Sequence, residues 1–103
     1  MAYKVTYSTQ ASIDLEAIIE YIYGELHNPQ AAQNFFNKTD ETLVRLRDNP
    51  FIFPLHHDER LSAKGLRFVT IGSYLMFYAV DEKNNLVNIA RIIYGRRNIS
   101  AII

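Results

Sequence analysis

The chain has no cysteine in its 103 residues, and no apolar run approaches the roughly 18 residues that a membrane span requires. The absence of cysteine excludes a disulfide scaffold and a cysteine nucleophile, and it fits a reducing compartment. Residues 1–5 resemble the start of a strand and contain no signal-peptide core. We therefore expect a cytoplasmic protein without a membrane partner.

Common catalytic motifs are also missing. The sequence contains no Walker-type phosphate loop, no nucleophile elbow and no paired-carboxylate motif. Metal-ligating residue types cluster in His-His-Asp-Glu at 56–59, but adjacent histidines point apart in an extended chain and no third ligand recurs at a helical spacing. The sequence therefore predicts a surface loop here, with neither a metal site nor a cofactor.

The composition is that of a single packed domain spanning residues 1–103. Hydrophobic residues make up 49% of the chain and aromatic residues 13%, which is enough for a core. Net charge is zero but uneven: residues 1–50 carry four basic and seven acidic side chains, and residues 51–103 carry seven and four. The second half can thus accept an anionic partner, although ordinary surface charge explains the same pattern.

The first half predicts a strand followed by two helices. Residues 3–7 alternate and are rich in β-forming side chains. Ser8 or Thr9 can cap a helix with apolar residues at every third or fourth position, and this helix should end near His27. Asn28-Pro29 places asparagine at an N-cap and proline at the first helical position of a second helix, so the two helices form an αα-hairpin.

The second half predicts a loop and three strands. Residues 50–65 contain two prolines and a polar stretch, which indicates a long loop. Strands should follow at 66–71, 74–80 and 86–94. The tail carries isoleucines that are exposed unless they pack on the sheet or on a partner: Ile99, Ile102 and Ile103.

The predicted order β-α-α-β-β-β indicates an α+β fold, with an antiparallel sheet and the helical hairpin on one face. Strict alternation along the last strand directs Val87, Ile89, Arg91 and Ile93 to one side. No predicted element remains to cover the second face, to which we assign Met76, Tyr78, Ile92 and Tyr94 or their alternates. An uncovered apolar face marks an interaction site.

Three segments carry a resemblance to a known family. They read Gly-Leu-Arg at 65–67, Gly-Ser-Tyr-Leu-Met-Phe-Tyr at 72–78 and Arg-Ile-Ile-Tyr-Gly-Arg-Arg-Asn at 91–98. Their order resembles that of the RelE/ParE superfamily, the toxins of type II toxin–antitoxin (plasmid stabilisation) modules. The resemblance implies a cognate antitoxin that lays a helix, or a helix and a strand, across the bare sheet face and the helical hairpin.

Within the superfamily, the chain looks closer to the ParE branch. Its Gly-x-Tyr-Leu-x-Phe-Tyr hairpin and its Gly-Arg-Arg sequence after the last strand resemble that branch. The resemblance implies a toxin that inhibits DNA gyrase by binding it, without bond-making chemistry and without sequence-specific DNA binding. The target-binding candidates are Arg67, Tyr94, Arg96 and Arg97. A purely structural role for Arg67 stays open, and Arg91 is expected to be structural.

Two alternatives remain. The first is a RelE-like, ribosome-dependent mRNA endonuclease acting on ribosome-bound mRNA, with His57, Arg67 and Arg96 as catalytic candidates. Against it, Leu75 stands where those ribonucleases carry an arginine after the aromatic residue that matches Tyr74. The second alternative is a degenerate, non-toxic relative that only binds an antitoxin.

Overall fold

The fold combines two long helices with a twisted sheet. The computed structural model describes residues 2–95, 97 and 99. Within these residues the elements are β1 (Lys4–Tyr7), α1 (Thr9–Glu20), a π-helical turn (Tyr21–Glu25), α2 (Pro29–Asp48), α3 (Glu59–Ala63), β2 (Arg67–Ile71), β3 (Tyr74–Asp81) and β4 (Leu86–Tyr94). The predicted α+β class is confirmed.

Both long helices begin where capping chemistry predicts. The Ser8 hydroxyl accepts a hydrogen bond from the Ala11 N–H at 3.0 Å and donates one to the Ala90 carbonyl at 2.8 Å. Asn28 Oδ1 accepts a hydrogen bond from the Ala31 N–H at 3.0 Å, and Pro29 occupies the first turn of α2. Each side chain satisfies one N–H that the helix itself leaves unpaired.

The sheet is mixed rather than antiparallel. Its strand order is β1-β4-β3-β2, and the pairs β2–β3 and β3–β4 are antiparallel as predicted. However, β1 runs parallel to β4, with Lys4 opposite Leu86 and Tyr7 opposite Ile89. The prediction was wrong for this strand because the helical hairpin acts as a crossover connection, which allows parallel pairing.

A β-bulge in β4 breaks the alternation assumed from the sequence. Phe77 pairs with Arg91 while Tyr78 pairs with Ile89, so Ala90 is an extra residue in β4. Beyond the bulge the side chains change faces. Ile89 packs under the helices, whereas Ile93 packs in the cluster on the opposite face. The single-face assignment of Val87, Ile89, Arg91 and Ile93 was therefore wrong.

The main core lies between the helices and one face of the sheet. Ala11 and Ile18 of α1 and Phe35 and Leu46 of α2 pack there against sheet residues. Met76, Tyr78 and Ile92 belong to this helix-covered face. Their assignment to a bare face was wrong, because the helical hairpin packs on the face of the sheet that carries these three side chains.

The second face carries its own small core. Leu61 of α3 and Leu66 pack over Phe77 and Ile93, and all four are buried. The predicted loop thus contains a helix that acts as a lid, and Ile99 also packs on this cluster. Ile102 and Ile103 lie outside the described residues. The prediction of a wholly bare second face was wrong.

Tyr78 provides a test of the main core. Its hydroxyl is buried and donates a hydrogen bond to the Pro50 carbonyl at 2.7 Å. Burial raises the pKa of this hydroxyl to about 12, although Arg67 and a backbone hydrogen bond at Phe53 oppose the rise.

Tyr78→Phe leaves the Pro50 carbonyl unpaired, so we expect urea denaturation to show that the free energy of unfolding falls by about 1.5 kcal/mol. The control, exposed Tyr23→Phe, should change stability by less than about 0.5 kcal/mol. Equal effects of the two variants would contradict this account.

Candidate functional site

The end of the sheet is held together by the turn between β2 and β3. Gly72 has φ 59°, a conformation that glycine adopts without strain. The Gly95 N–H donates to the Ser73 carbonyl at 2.9 Å, and a Cβ at Gly95 would lie only 3.3 Å from the same oxygen. The glycine therefore allows the end of β4 to lie close against the turn, which places Tyr94 beside Tyr74.

Three tyrosines form a cluster at this end of the sheet: Tyr21, Tyr74 and Tyr94. The rings of Tyr74 and Tyr94 meet edge to face with centroids 5.9 Å apart, and Phe35 of α2 meets Tyr74 at 5.5 Å. Burial raises the pKa of the Tyr74 hydroxyl, and the nearby Tyr21 and Tyr94 hydroxyls raise it further. Tyr74 is therefore protonated at neutral pH and can donate a hydrogen bond. Tyr94 is 41% exposed and available for contact.

The tyrosine cluster lines two grooves. The larger, which we call the helix groove, has a volume of about 730 Å³ and lies between the π-helical turn, α2 and the sheet end. Leu26 and Phe35 add apolar surface to it, while Asn34 and Lys38 lie on its polar side. An apolar groove with a few polar groups suits the apolar face of a partner helix.

The smaller strand groove, of about 370 Å³, lies on the other side of the cluster. Asp14 and Arg91 line it together with Tyr94 and Arg97. Arg97 is exposed and forms no ion pair with any other residue in the described part of the chain. Because Asp14 and Arg91 compensate each other, Arg97 gives this groove a net positive charge, which favours acidic partner side chains.

An ion pair fixes the wall of the strand groove. Arg91 donates two hydrogen bonds to the Asp14 carboxylate, at 2.8 and 3.1 Å, and the Ile92 N–H donates a third at 3.0 Å. Burial alone would raise the pKa of Asp14, but the hydrogen bonds from Arg91, Ile92 and Gln10 lower it below the ordinary aspartate value. Asp14 is thus ionised at neutral pH, and it ties α1 to β4 where β1 has already ended.

The predicted target-binding residues do not all lie in this site. Tyr94 and Arg97 both line the strand groove, whereas Arg96 lies outside the described residues. Arg67 lies far along β2 from the turn: it is paired with Tyr78, while Ile71 is paired with Tyr74. Its guanidinium donates to the Phe53 carbonyl at 2.8 Å and lies 5.0 Å from the Phe51 ring centroid. These contacts match the structural interpretation of Arg67.

Two of the candidates for RNA cleavage, His57 and Arg67, are not brought together either. His57 is exposed, and its ring stacks on His56 at 4.1 Å and lies near Phe68. Phe68 directly follows Arg67 in β2, and successive residues of a strand point to opposite faces. His57 and the Arg67 side chain are therefore on opposite faces of the sheet. Leu75 packs into the second-face core.

Two further findings concern metal sites and membrane-spanning helices. Among residues 2–95, 97 and 99, no three His, Cys, Asp or Glu side chains lie close enough to hold a metal ion. No helix in the described part of the chain is both long and apolar enough to cross a membrane.

Sequence reasoning missed Tyr21, which lines both grooves. Tyr21 lies outside the buried apolar stripe of the first helix, where core packing does not require an aromatic side chain. This position in the sequence could have marked it as a binding residue. The π-helical turn that holds Tyr21, closed by the Leu26 N–H donating to the Tyr21 carbonyl at 3.1 Å, leaves no recognisable sequence pattern. π-Helical turns are frequent at functional sites.

Known proteins resemble the chain in sequence pattern and in fold. Residues 5–99 match the family described as the ParE toxin of the type II toxin–antitoxin system, parDE. No curated protein matches the chain in sequence.

Three solved toxin–antitoxin structures share the fold. A chain of the chromosomal ParDE system from P. aeruginosa is 18% identical, with a TM-score of 0.67 over 90% of this chain and 96% of that one. A chain of the RelE–RelB complex from Pyrococcus horikoshii is 18% identical, with a TM-score of 0.59 over 94% and 99%. A chain of a RelBE complex from Mycobacterium tuberculosis is 19% identical, with a TM-score of 0.54 over 91% and 99%.

Proposed function

Since the chain belongs to the ParE toxin family of type II toxin–antitoxin systems, we propose that this toxin acts by binding DNA gyrase and that a cognate antitoxin neutralises it. The observation that carries the proposal is the exposed surface at the sheet end, where Tyr94 and Arg97 share one groove. Exposed aromatic and arginine side chains supply much of the binding energy at protein interfaces. Such a surface needs no reacting groups, which suits a toxin that inhibits by binding.

The antitoxin is proposed to bind at the helix groove and to reach the strand groove. An amphipathic antitoxin helix would place apolar side chains against Leu26, Phe35 and the tyrosine cluster. Acidic antitoxin residues would then compensate the charge of Arg97. Because Tyr21, Tyr74 and Tyr94 line both grooves, an antitoxin seated there would block a target that needs the same tyrosines.

An mRNA endonuclease has less support. RNA cleavage by 2′-OH attack needs a base, an acid and a cation around one phosphate. His57 and Arg67 lie on opposite faces of the sheet, and Leu75 provides no cation. The RelE structures among the similar folds support a shared architecture but say nothing of activity.

Purified toxin separates these activities. We expect it to inhibit gyrase supercoiling of relaxed plasmid, and its antitoxin, encoded in the neighbouring reading frame, to restore supercoiling when added in equimolar amount. A toeprint assay on translating ribosomes should show no cleavage within codons. Codon-specific cleavage without gyrase inhibition would overturn the proposal in favour of the endonuclease. Antitoxin binding without either activity, and without growth arrest on induction, would identify a degenerate relative.

A further inference from the structure

The second-face lid is attached through a histidine that is almost completely buried. His56 is 7% exposed, and its ring lies between His57 at 4.1 Å, Phe68 at 4.9 Å and Phe77 at 5.4 Å. Its backbone N–H donates to the Leu66 carbonyl at 3.0 Å, so the segment before α3 is tied to the segment after it. A buried imidazole in this position is not needed for the proposed gyrase or antitoxin contacts.

The hydrogen bond at the ring fixes its protonation state. His56 Nδ1 accepts a hydrogen bond from the Asp58 N–H at 3.0 Å. A nitrogen that accepts cannot carry a proton, so the closed lid holds the neutral imidazole with its hydrogen on Nε2. Protonation of Nδ1 would set two N–H groups against each other and place a positive charge in a largely buried site.

Asp58 links this hydrogen bond to the lid helix. Its carboxylate accepts a hydrogen bond from the Arg60 N–H at 2.9 Å, and its carbonyl accepts one from the Ser62 N–H at 2.9 Å. Those bonds begin α3, which buries Leu61 completely over the second-face core. Because His56 positions the Asp58 backbone, losing the Nδ1 bond disturbs the start of α3, the helix whose Leu61 is buried on this face.

We propose that His56 is a pH-sensitive latch: the neutral ring holds α3 on the sheet, and protonation releases the lid and exposes the second-face core. This inference is independent of the proposed function. The released surface would consist of Leu61, Leu66, Phe77 and Ile93, an apolar patch of the kind that binds partners or hydrophobic dyes.

The electrostatic surroundings agree with this direction. Burial lowers the pKa of His56 and the neighbouring His57 lowers it further, while the Asp58 carboxylate opposes them. β2 and β3 present the uncharged Phe68 and Phe77 rings to the imidazole. Because the closed lid lowers the pKa of His56, the neutral ring stabilises the lid fully when the pH is above 6.5, the ordinary histidine pKa. That stabilisation is lost as the pH falls through the closed-state pKa.

Amide hydrogen exchange tests the latch in the intact chain. The ratio of protection factors for residues 59–66 to those of β3 should fall between pH 7.5 and pH 5. The expected fall is about tenfold for each unit by which the open-state pKa exceeds that of the closed state. Nitrogen chemical shifts should report the Nε2–H form of His56 at pH 7.5, with exposed His27 and His57 as internal references. Binding of a hydrophobic dye should rise over the same pH range.

His56→Asn is the decisive variant, because asparagine Oδ1 can replace Nδ1 as the acceptor but does not titrate. We expect its ratio of protection factors to be constant across this pH range, whatever its overall stability. His57→Asn should keep the pH dependence. The latch is refuted if the wild-type ratio is constant, if His56→Asn retains the wild-type dependence, or if His56 carries its proton on Nδ1 at pH 7.5. The wild-type measurements decide the question even if His56→Asn fails to fold.

Discussion

Replacing Asp14 with alanine is expected to lower the free energy of unfolding by about 3 kcal/mol, as measured by urea denaturation at pH 7. The side chains of Arg91 and Asp14 are only 19% and 11% exposed, so the alanine leaves a poorly hydrated guanidinium without its partner. It also removes the acceptor of the Ile92 N–H. Breaking a largely buried pair on one side costs far more than breaking an exposed pair.

Two controls separate the ion pair from a general effect of mutating α1. Glu16 is exposed on the same helix, so Glu16→Ala should change stability by less than about 0.5 kcal/mol. In a double-mutant cycle with Arg91→Ala, the coupling energy should be about 2 kcal/mol. Additive effects of the two substitutions would show that the pair does not act as a unit.

The same carboxylate gives stability a defined pH dependence. The pKa of Asp14 is lowered in the folded state, so its contribution is complete above the ordinary value of 3.8. It is lost as the pH falls through the folded-state pKa. The stability difference between the wild type and Asp14→Asn should therefore shrink in strong acid. A difference that is equally large at pH 7 and below pH 3 would assign the effect to shape rather than to charge.

Local signals predicted the elements that depend on local chemistry. Ser8 and Asn28 cap the two long helices as their side chains require. The sequence did not predict α3, because two upstream prolines suggested a loop. The helix is defined by an N-cap at Asp58, a single buried apolar residue at Leu61, and Gly65 with φ 74° after its end. A five-residue helix has too few turns for periodicity to reveal it.

Tertiary features were beyond the sequence for physical reasons. The bulge at Ala90 exchanges the faces of the following residues, and nothing in a run of β-forming side chains marks an extra residue. Tyr94 and Arg97 could be placed at the end of the sheet from the sequence, because they lie at and just beyond the end of the last predicted strand. Tyr21 lies beside them because α1 packs against the part of β4 that extends beyond its pairing with β1. The ion pair between Asp14 and Arg91 holds this contact.

The largest functional effect is expected from changing Tyr94 and Arg97 together. On the proposed function, Tyr94→Ala with Arg97→Glu should abolish growth arrest and weaken gyrase inhibition at least about 30-fold, which corresponds to about 2 kcal/mol of binding energy. Tyr94 is 41% exposed and Arg97 is also exposed, so the variant should stay folded. Circular dichroism and urea unfolding check that condition.

The chain offers a matched control for each substitution. Tyr23 is 47% exposed but lines neither groove, and Arg47 lies at the other end of the sheet, where its carbonyl accepts a hydrogen bond from the Tyr3 N–H at 2.8 Å. Tyr23→Ala with Arg47→Glu removes the same side chains without touching the sheet end, so toxicity should persist. Unchanged gyrase inhibition by the Tyr94 and Arg97 variant would exclude the sheet end as the effector surface. Loss of toxicity in the control variant as well would attribute the effect to charge or folding rather than to the groove.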